Sequence, residues 1–226
     1  MPAGKITSLE IQVNNKERVN VYLDGEYGFS LALMAAATLR KGQVLTEAEV
    51  ARLGEADHVS KATDAALRFL GVRPRSRHEV NQRLTLKGYD PAKIEAALNQ
   101  LEQMGYLNDA DFARYWVENR DTFKPRSPSQ LRMELRQKGV ADAIINDVLA
   151  PLDATDAAYR AALAKLTRYK GLPYSEWRQR LGAFLMRRGF GYSTVAEVLA
   201  QIKDELEVSD PDYFDLGSDS DADGME

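Results

Sequence analysis

The chain has 226 residues, 44% apolar and 28% charged, which suits one or two ordinary globular domains with sizeable cores. It has no cysteine and two histidines, His58 and His78, twenty positions apart; this argues against disulfides, thiolate zinc, a cysteine nucleophile, a histidine metal centre and a Ser-His-Asp triad. The net charge of −4 conceals ten acidic residues and no Lys or Arg from Asp204 to Glu226, so residues 1–203 carry +6, a sign that suits a polyanionic partner.

Residues 5–55 carry strand signals first. Leu9, Ile11 and Val13 alternate with polar residues, as do Val19, Val21 and Leu23, and each set places apolar side chains on one strand face. Asn14-Asn15-Lys16-Glu17 is the turn between them. Asp24-Gly25 is a hairpin signal because both positions tolerate φ > 0. Tyr27, Phe29 and Leu31 continue the alternation. A small three-stranded antiparallel meander is predicted. Two short helices follow: one capped by Ser30 over 31–39 and stopped by Lys41-Gly42, the other opened by Thr46 and Glu49 at capping-box spacing and ending near Leu53. So small a sheet must pack on something else.

Residues 59–203 repeat. Leu84-x-x-Lys87-Gly88-Tyr89 matches Leu135-x-x-Lys138-Gly139-Val140 and Leu185-x-x-Arg188-Gly189-Phe190. Val80, Leu131 and Leu181 correspond one turn earlier. Downstream, Ile94/Leu98/Leu101 correspond to Ile145/Leu149/Leu152 and Val195/Leu199/Ile202, an i, i+4, i+7 helical pattern three times over.

Each unit is punctuated. Ser76 with Glu79 and Ser127 with Gln130 have capping-box spacing, and Pro128 takes the favoured first helical position. The third unit has Trp177 where that serine would fall. The glycines after Lys87, Lys138 and Arg188 suit a left-handed helix stop, and the basic residue before each faces the negative helix end. Asp90-Pro91 starts a further helix that Met104-Gly105 ends, with Leu107 and Asn108 suited to staple and cap the next. Asp64, Asp111 and Asp156 lie in a leading helix before each pair, where Phe112, Tyr115 and Trp116 form an aromatic stripe.

The expected fold is mainly α. Three tandem three-helix repeats, at 58–106, 107–153 and 154–203, form an elongated curved array. A small β-meander with short helices precedes them at 1–57, and an acidic disordered tail follows at 204–226.

The chemistry-bearing residues are basic. Arg73, Arg75, Arg77 and Arg83, with Lys87, form the densest cluster. Lys124, Arg126, Arg132, Arg136 and Lys138 repeat it at similar offsets, and Arg178, Arg180, Arg187 and Arg188 give the third unit its own. These side chains suit phosphate or carboxylate. No Gly-rich phosphate loop, metal cluster or catalytic pair stands out, so no enzyme, cofactor or metal is expected. No run approaches the ~20 apolar residues of a membrane span. Residues 1–5 have no apolar core like a signal peptide's, and a cytoplasmic monomer is expected.

Arg75-Ser76-Arg77-His78-Glu79-Val80 followed by Leu84-x-x-Lys87-Gly88-Tyr89 resembles the signature of the RecX regulatory family. So does Leu101-x-x-x-Gly105-Tyr106-Leu107-Asn108-Asp109-x-Asp111-Phe112-Ala113, as do Pro125-Arg126-Ser127-Pro128 and Glu134-Leu135-x-x-Lys138-Gly139. Residues 15–24 resemble the N-terminal extension of the family's longer members. The resemblance covers about residues 5–203; the third unit diverges and the acidic tail lies outside it. It implies a non-enzymatic protein that lodges in the groove of the RecA–DNA filament and restrains ATPase, growth and strand exchange, and hence regulates repair, recombination and the SOS response. Weak direct contact with single- or double-stranded DNA goes with that role. The residues alone also allow an autonomous DNA-binding array of helix-turn-helix-like units.

Overall fold

The computed structural model describes residues 3–214. Two compact units divide the chain, Met1–Asn108 and Asp109–Glu226.

The first unit opens with β1 (Gly4–Ile11), β2 (Arg18–Leu23) and β3 (Glu26–Ala32). Both pairings are antiparallel, with Val19 between Ile11 and Leu31 and Val21 between Leu9 and Phe29. Asp24 (φ +50°) and Gly25 (φ +94°) make the expected hairpin turn. The meander gains a strand, however. β4 (Val44–Leu45) pairs with Lys5 and Gly4, giving the order β3-β2-β1-β4. Two residues are too few to show a period. The first expected helix shrinks to α1 (Leu33–Ala36), because β3 runs through Ser30 and buries Leu31 completely opposite Val19.

Helix α2 (Glu47–Leu70) begins at the expected Thr46–Glu49 capping box but does not stop near Leu53. No proline interrupts it, and one glycine, Gly54, costs only about 1 kcal/mol in a helix. The boundary expected at 57/58 therefore falls inside a single helix. Val50 and Leu53 of that helix complete the sheet's core, while Ala62, Ala65 and Ala66 belong to the core of the first repeat. A buried ion pair ties sheet to helix: Arg18 Nη2 lies 2.6 Å from Asp57 Oδ1 and also reaches the Ser30 hydroxyl. Lys61, one turn on, takes the other Asp57 oxygen at 2.7 Å.

The first repeat adds α3 (Arg77–Leu86) and α4 (Pro91–Gln103). Ser76 and Glu79 form the expected reciprocal box, and Asp90 caps α4 through Ala92 N–H. Val80, Leu84, Ile94, Leu98 and Leu101 are all buried against the α2 alanines.

The second unit holds two more repeats: α5 (Asp109–Phe123), α6 (Pro128–Gln137) and α7 (Asp142–Leu149), then α8 (Ala154–Tyr169), α9 (Tyr174–Arg187) and α10 (Tyr192–Ser209). Ser127 caps α6 through Gln130 N–H, but its own N–H bonds Arg188 O at 3.2 Å instead of Gln130. Leu152 falls past the end of α7, which stops ahead of Pro151. In the third repeat α9 starts at Tyr174. Trp177 therefore sits within the helix, fully buried, and not at a cap.

The tail expectation needs correction over residues 204–214. Helix α10 continues to Ser209, with Leu206 buried. Tyr213 is buried and donates its hydroxyl to Leu166 O at 2.6 Å; its carbonyl accepts from Gly171 N–H. Phe214 packs edge-on against Tyr174 and Trp177. Leu206, Tyr213 and Phe214 are the apolar anchors that the count of acidic residues hides. The rest of the expected tail, residues 215–226, lies outside the described residues.

Two outcomes test this packing. Asp57→Ala strands the buried Arg18 charge and is expected to lower stability by about 3–5 kcal/mol in chemical denaturation; a loss below about 1 kcal/mol would show that Arg18 escapes to water. Gly88 and Gly189 share a left-handed φ, but a Cβ on Gly88 meets nothing, whereas one on Gly189 comes within 2.7 Å of Ser127 Oγ and 2.9 Å of Gln130 Cβ. Gly189→Ala should therefore cost clearly more than Gly88→Ala, which carries only the left-handed penalty of about 1–2 kcal/mol. Equal melting points for the two variants would contradict the close joint.

Candidate partner-binding face

The stops that end α3, α6 and α9 are the same local structure. Gly88, Gly139 and Gly189 have φ between +75° and +87°. The following amides, of Tyr89, Val140 and Phe190, return to the carbonyls of Leu84, Leu135 and Leu185. Lys87, Lys138 and Arg188 occupy the C-caps. Each helix end thus presents a cation at a fixed place.

The structure sorts the remaining basic residues by what holds them. In the first repeat Arg77 is bound within its own fold. Its guanidinium reaches Glu95 at 2.7 Å and Glu102 at 2.9 Å, clamping α3 to α4. The Glu95 hydrogen bond, aided by the Glu102 charge, holds its proton more tightly than usual. Arg73 pairs with Glu79 at 3.0 Å. Arg75 lies over the Phe69 ring at 4.2 Å and Arg83 at 5.7 Å. Arg83 and Lys87 are exposed.

In the second repeat Arg136 is spent on Asp142 at 2.7 Å, and Arg132 on the Asn146 side-chain oxygen. Trp116 organises the others. Arg120 stacks at 4.4 Å from its ring centre and Lys138 at 5.1 Å. The indole N–H and Arg120 Nε both donate to Glu134 Oε2 at 2.8 Å, while Arg126 lies 3.4 Å from the other Glu134 oxygen. Phe112 is core, as expected of the aromatic stripe, but Trp116 is only half-buried and carries charge on its face.

In the third repeat Arg180 pairs with Glu176, and Arg178 and Arg187 are exposed. Lys165 and Arg188 lie over the Phe184 ring at 5.2 and 4.7 Å. Arg188 also reaches back into the second repeat, donating to Pro125 O at 3.0 Å. Burial and the nearby Arg126 charge make it easier to deprotonate than an ordinary arginine. The expected basic cluster thus divides into residues paired within the fold (Arg73, Arg77 and Arg132, with Arg136 paired on the surface) and residues facing outward (Arg83, Lys87, Lys124, Arg187), with Arg75, Arg126, Lys138 and Arg188 between. Sequence reading did not single out Phe69 or Phe184, and met Glu134 only within the Glu134-Leu135-x-x-Lys138-Gly139 motif; their aromatic or acidic character is ordinary until folding sets them beside cations.

Among the described residues no group of three metal-ligating side chains occurs, and no helix is long and apolar enough to cross a membrane.

Residues 4–46 match the model of the regulatory protein RecX N-terminal domain. Residues 62–101, 108–149 and 153–199 match, in order, the first, second and third RecX three-helix domains. A regulatory protein RecX of Bacillus licheniformis is 33% identical over 201 residues, 87% of this chain and 76% of its own length. The chain belongs to the RecX family. Regulatory protein RecX of Bacillus subtilis is 32% identical over 205 residues, covering 88% of this chain and 78% of its own. A crystal structure of a regulatory protein RecX superposes with a TM-score of 0.70 at 29% identity, over 89% of this chain and 99% of that one. RecX from Lactobacillus salivarius shares the fold, with a TM-score of 0.57 at 24% identity over 66% of this chain and 98% of its own.

One substitution checks the Trp116 cluster. Glu134→Gln removes the charge that Arg120 and Arg126 share, so Trp116 fluorescence should shift while helical circular dichroism stays unchanged. An unaltered emission spectrum, with Trp177→Phe as background, would show that Glu134 does not hold the indole.

Proposed function

We propose that this chain regulates the RecA nucleoprotein filament without being an enzyme, binding along it as a cytoplasmic monomer and restraining ATP hydrolysis, filament growth and strand exchange. One observation carries the reading: all four RecX domains follow one another in order from residue 4 to residue 199. Three repeats, each ending a helix with a cation, offer a set of similar contacts to a polymer of similar subunits. Contacts that are individually weak add through effective concentration once the first is made.

The contact residues proposed are the outward-facing cations of the three repeats, Arg83, Lys87, Lys124 and Arg187, with Arg75, Arg126, Lys138 and Arg188 beside them. Arg73, Arg77 and Arg132 contribute by holding the repeats in shape, and Arg136 is partnered on the surface by Asp142. Reversing Arg77 to Glu would put three carboxylates together at Glu95 and Glu102, so that variant tests folding more than binding.

The decisive measurement is the rate of ATP hydrolysis by RecA on single-stranded DNA, with and without this protein. The rate and the filament length are expected to fall; no change in either at saturating protein would overturn the proposal. The combined change Arg83→Glu, Lys87→Glu, Lys124→Glu and Arg187→Glu should weaken inhibition at least tenfold with helical content intact. Undiminished inhibition would place the contact face elsewhere.

A further inference from the structure

We propose that the joint between the second and third repeats is an oxyanion site, in which a phosphate group bridges Arg126 and Arg188 and locks the two repeats together. The two arginines come from different repeats. Arg126 stands in the loop before α6 and Arg188 at the C-cap of α9. Hydrogen bonds already join these segments: Ser127 N–H donates to Arg188 O, and two side chains donate to backbone, Arg188 Nη1 to Pro125 O and the Ser129 hydroxyl to Gly189 O at 3.4 Å. Side chains carried by these segments are therefore held close, and they carry like charge.

The charge at this joint is poorly compensated. Glu134 is the nearby carboxylate, and Arg120 and the Trp116 indole already take one of its oxygens. Arg126 Nε, buried from solvent, faces the other at 3.4 Å, an ion pair without a hydrogen bond. Arg188 has no carboxylate partner among the described residues; its partners are a carbonyl and the Phe184 ring. Lys124, two residues before Arg126, is exposed and adds a further positive charge. Burial first, and then the Arg126 charge, makes the Arg188 guanidinium easier to deprotonate than an ordinary one. A buried donor without an acceptor costs about 1–3 kcal/mol, more when charged. An anion with several acceptor oxygens would take N–H groups of both guanidiniums and screen the repulsion together. Tetrahedral phosphate suits two planar guanidiniums because each can offer paired N–H groups.

The site deepens the basic-face reading and rests on it for its biological meaning, but its test contains no recombinase, so the two can fail separately. The phosphate can be inorganic or part of a nucleic-acid backbone, and two measurements on the full chain distinguish them. In the first, the unfolding midpoint is followed in inorganic phosphate and in sodium chloride of equal ionic strength. Phosphate should raise it, and Arg126→Gln and Arg188→Gln should each abolish the rise while retaining wild-type circular dichroism. In the second, binding to a single-stranded oligothymidylate is followed against salt. One lost phosphate contact should lower the slope of log affinity on log salt by about 0.7 in the double variant. A lost phosphate response with an unchanged slope identifies inorganic phosphate as the ligand; a lower slope identifies the nucleic-acid backbone. If phosphate stabilises no more than chloride and the slope is the same in folded variants, the site does not exist.

Discussion

At the end of each repeat's middle helix a leucine carbonyl accepts a hydrogen bond from the amide that follows a glycine. Leu84 with Tyr89, Leu135 with Val140 and Leu185 with Phe190 are these pairs, and Gly88, Gly139 and Gly189 stand between in the left-handed region. Any other residue there incurs the cost of placing a Cβ against a carbonyl. The bond turns the chain sharply and sends it into the last helix, whose i and i+4 apolar residues pack in one core with the leucines just passed. It also places a lysine or arginine at the helix end, where the uncompensated carbonyls favour a cation. One backbone device thus builds the core of each repeat and its outward charge.

That charge is then divided. Where a carboxylate lies within reach the arginine becomes a clamp, as Arg77 does between α3 and α4. Where an aromatic ring lies beneath, the cation is held against its face, as around Phe69, Trp116 and Phe184. At corresponding helix ends the repeats place Lys87, Lys138 and Arg188. The link between the sheet and the first repeat is of another sort. There α2 shares two cores, and the buried Arg18–Asp57 pair gains its strength from seclusion from water.

The repeats, their stops and the caps at Thr46, Ser76, Asp90 and Ser127 were legible because each rests on local chemistry: a glycine at the right offset, a serine or threonine three residues before Glu or Gln, an aspartate before proline, a recurring leucine. The errors fall where distant contacts decide. β4 exists only because Gly4 and Lys5 offer it a partner. The full length of α2 follows from two cores that accept its two ends. Residues 204–214 read as a solvated acidic run, yet Tyr213 and Phe214 find Trp177 and Tyr174, residues some forty positions away in sequence. The basic clusters were visible as composition; which cations the fold consumes was not, since Glu95, Glu102, Asp142 and Glu134 become partners only in three dimensions. The family was legible through its motifs, several of which sit on those same stops.

The claim that these three stops hold the repeats is tested most directly by native-state hydrogen exchange at the amides of Tyr89, Val140 and Phe190. They lie outside regular helices, but their bonds to the leucine carbonyls should protect them about as strongly as amides in the middle of α4 and α10. Exchange at the rate of an open loop at all three would show that the stops are incidental and that the repeats are held by something else.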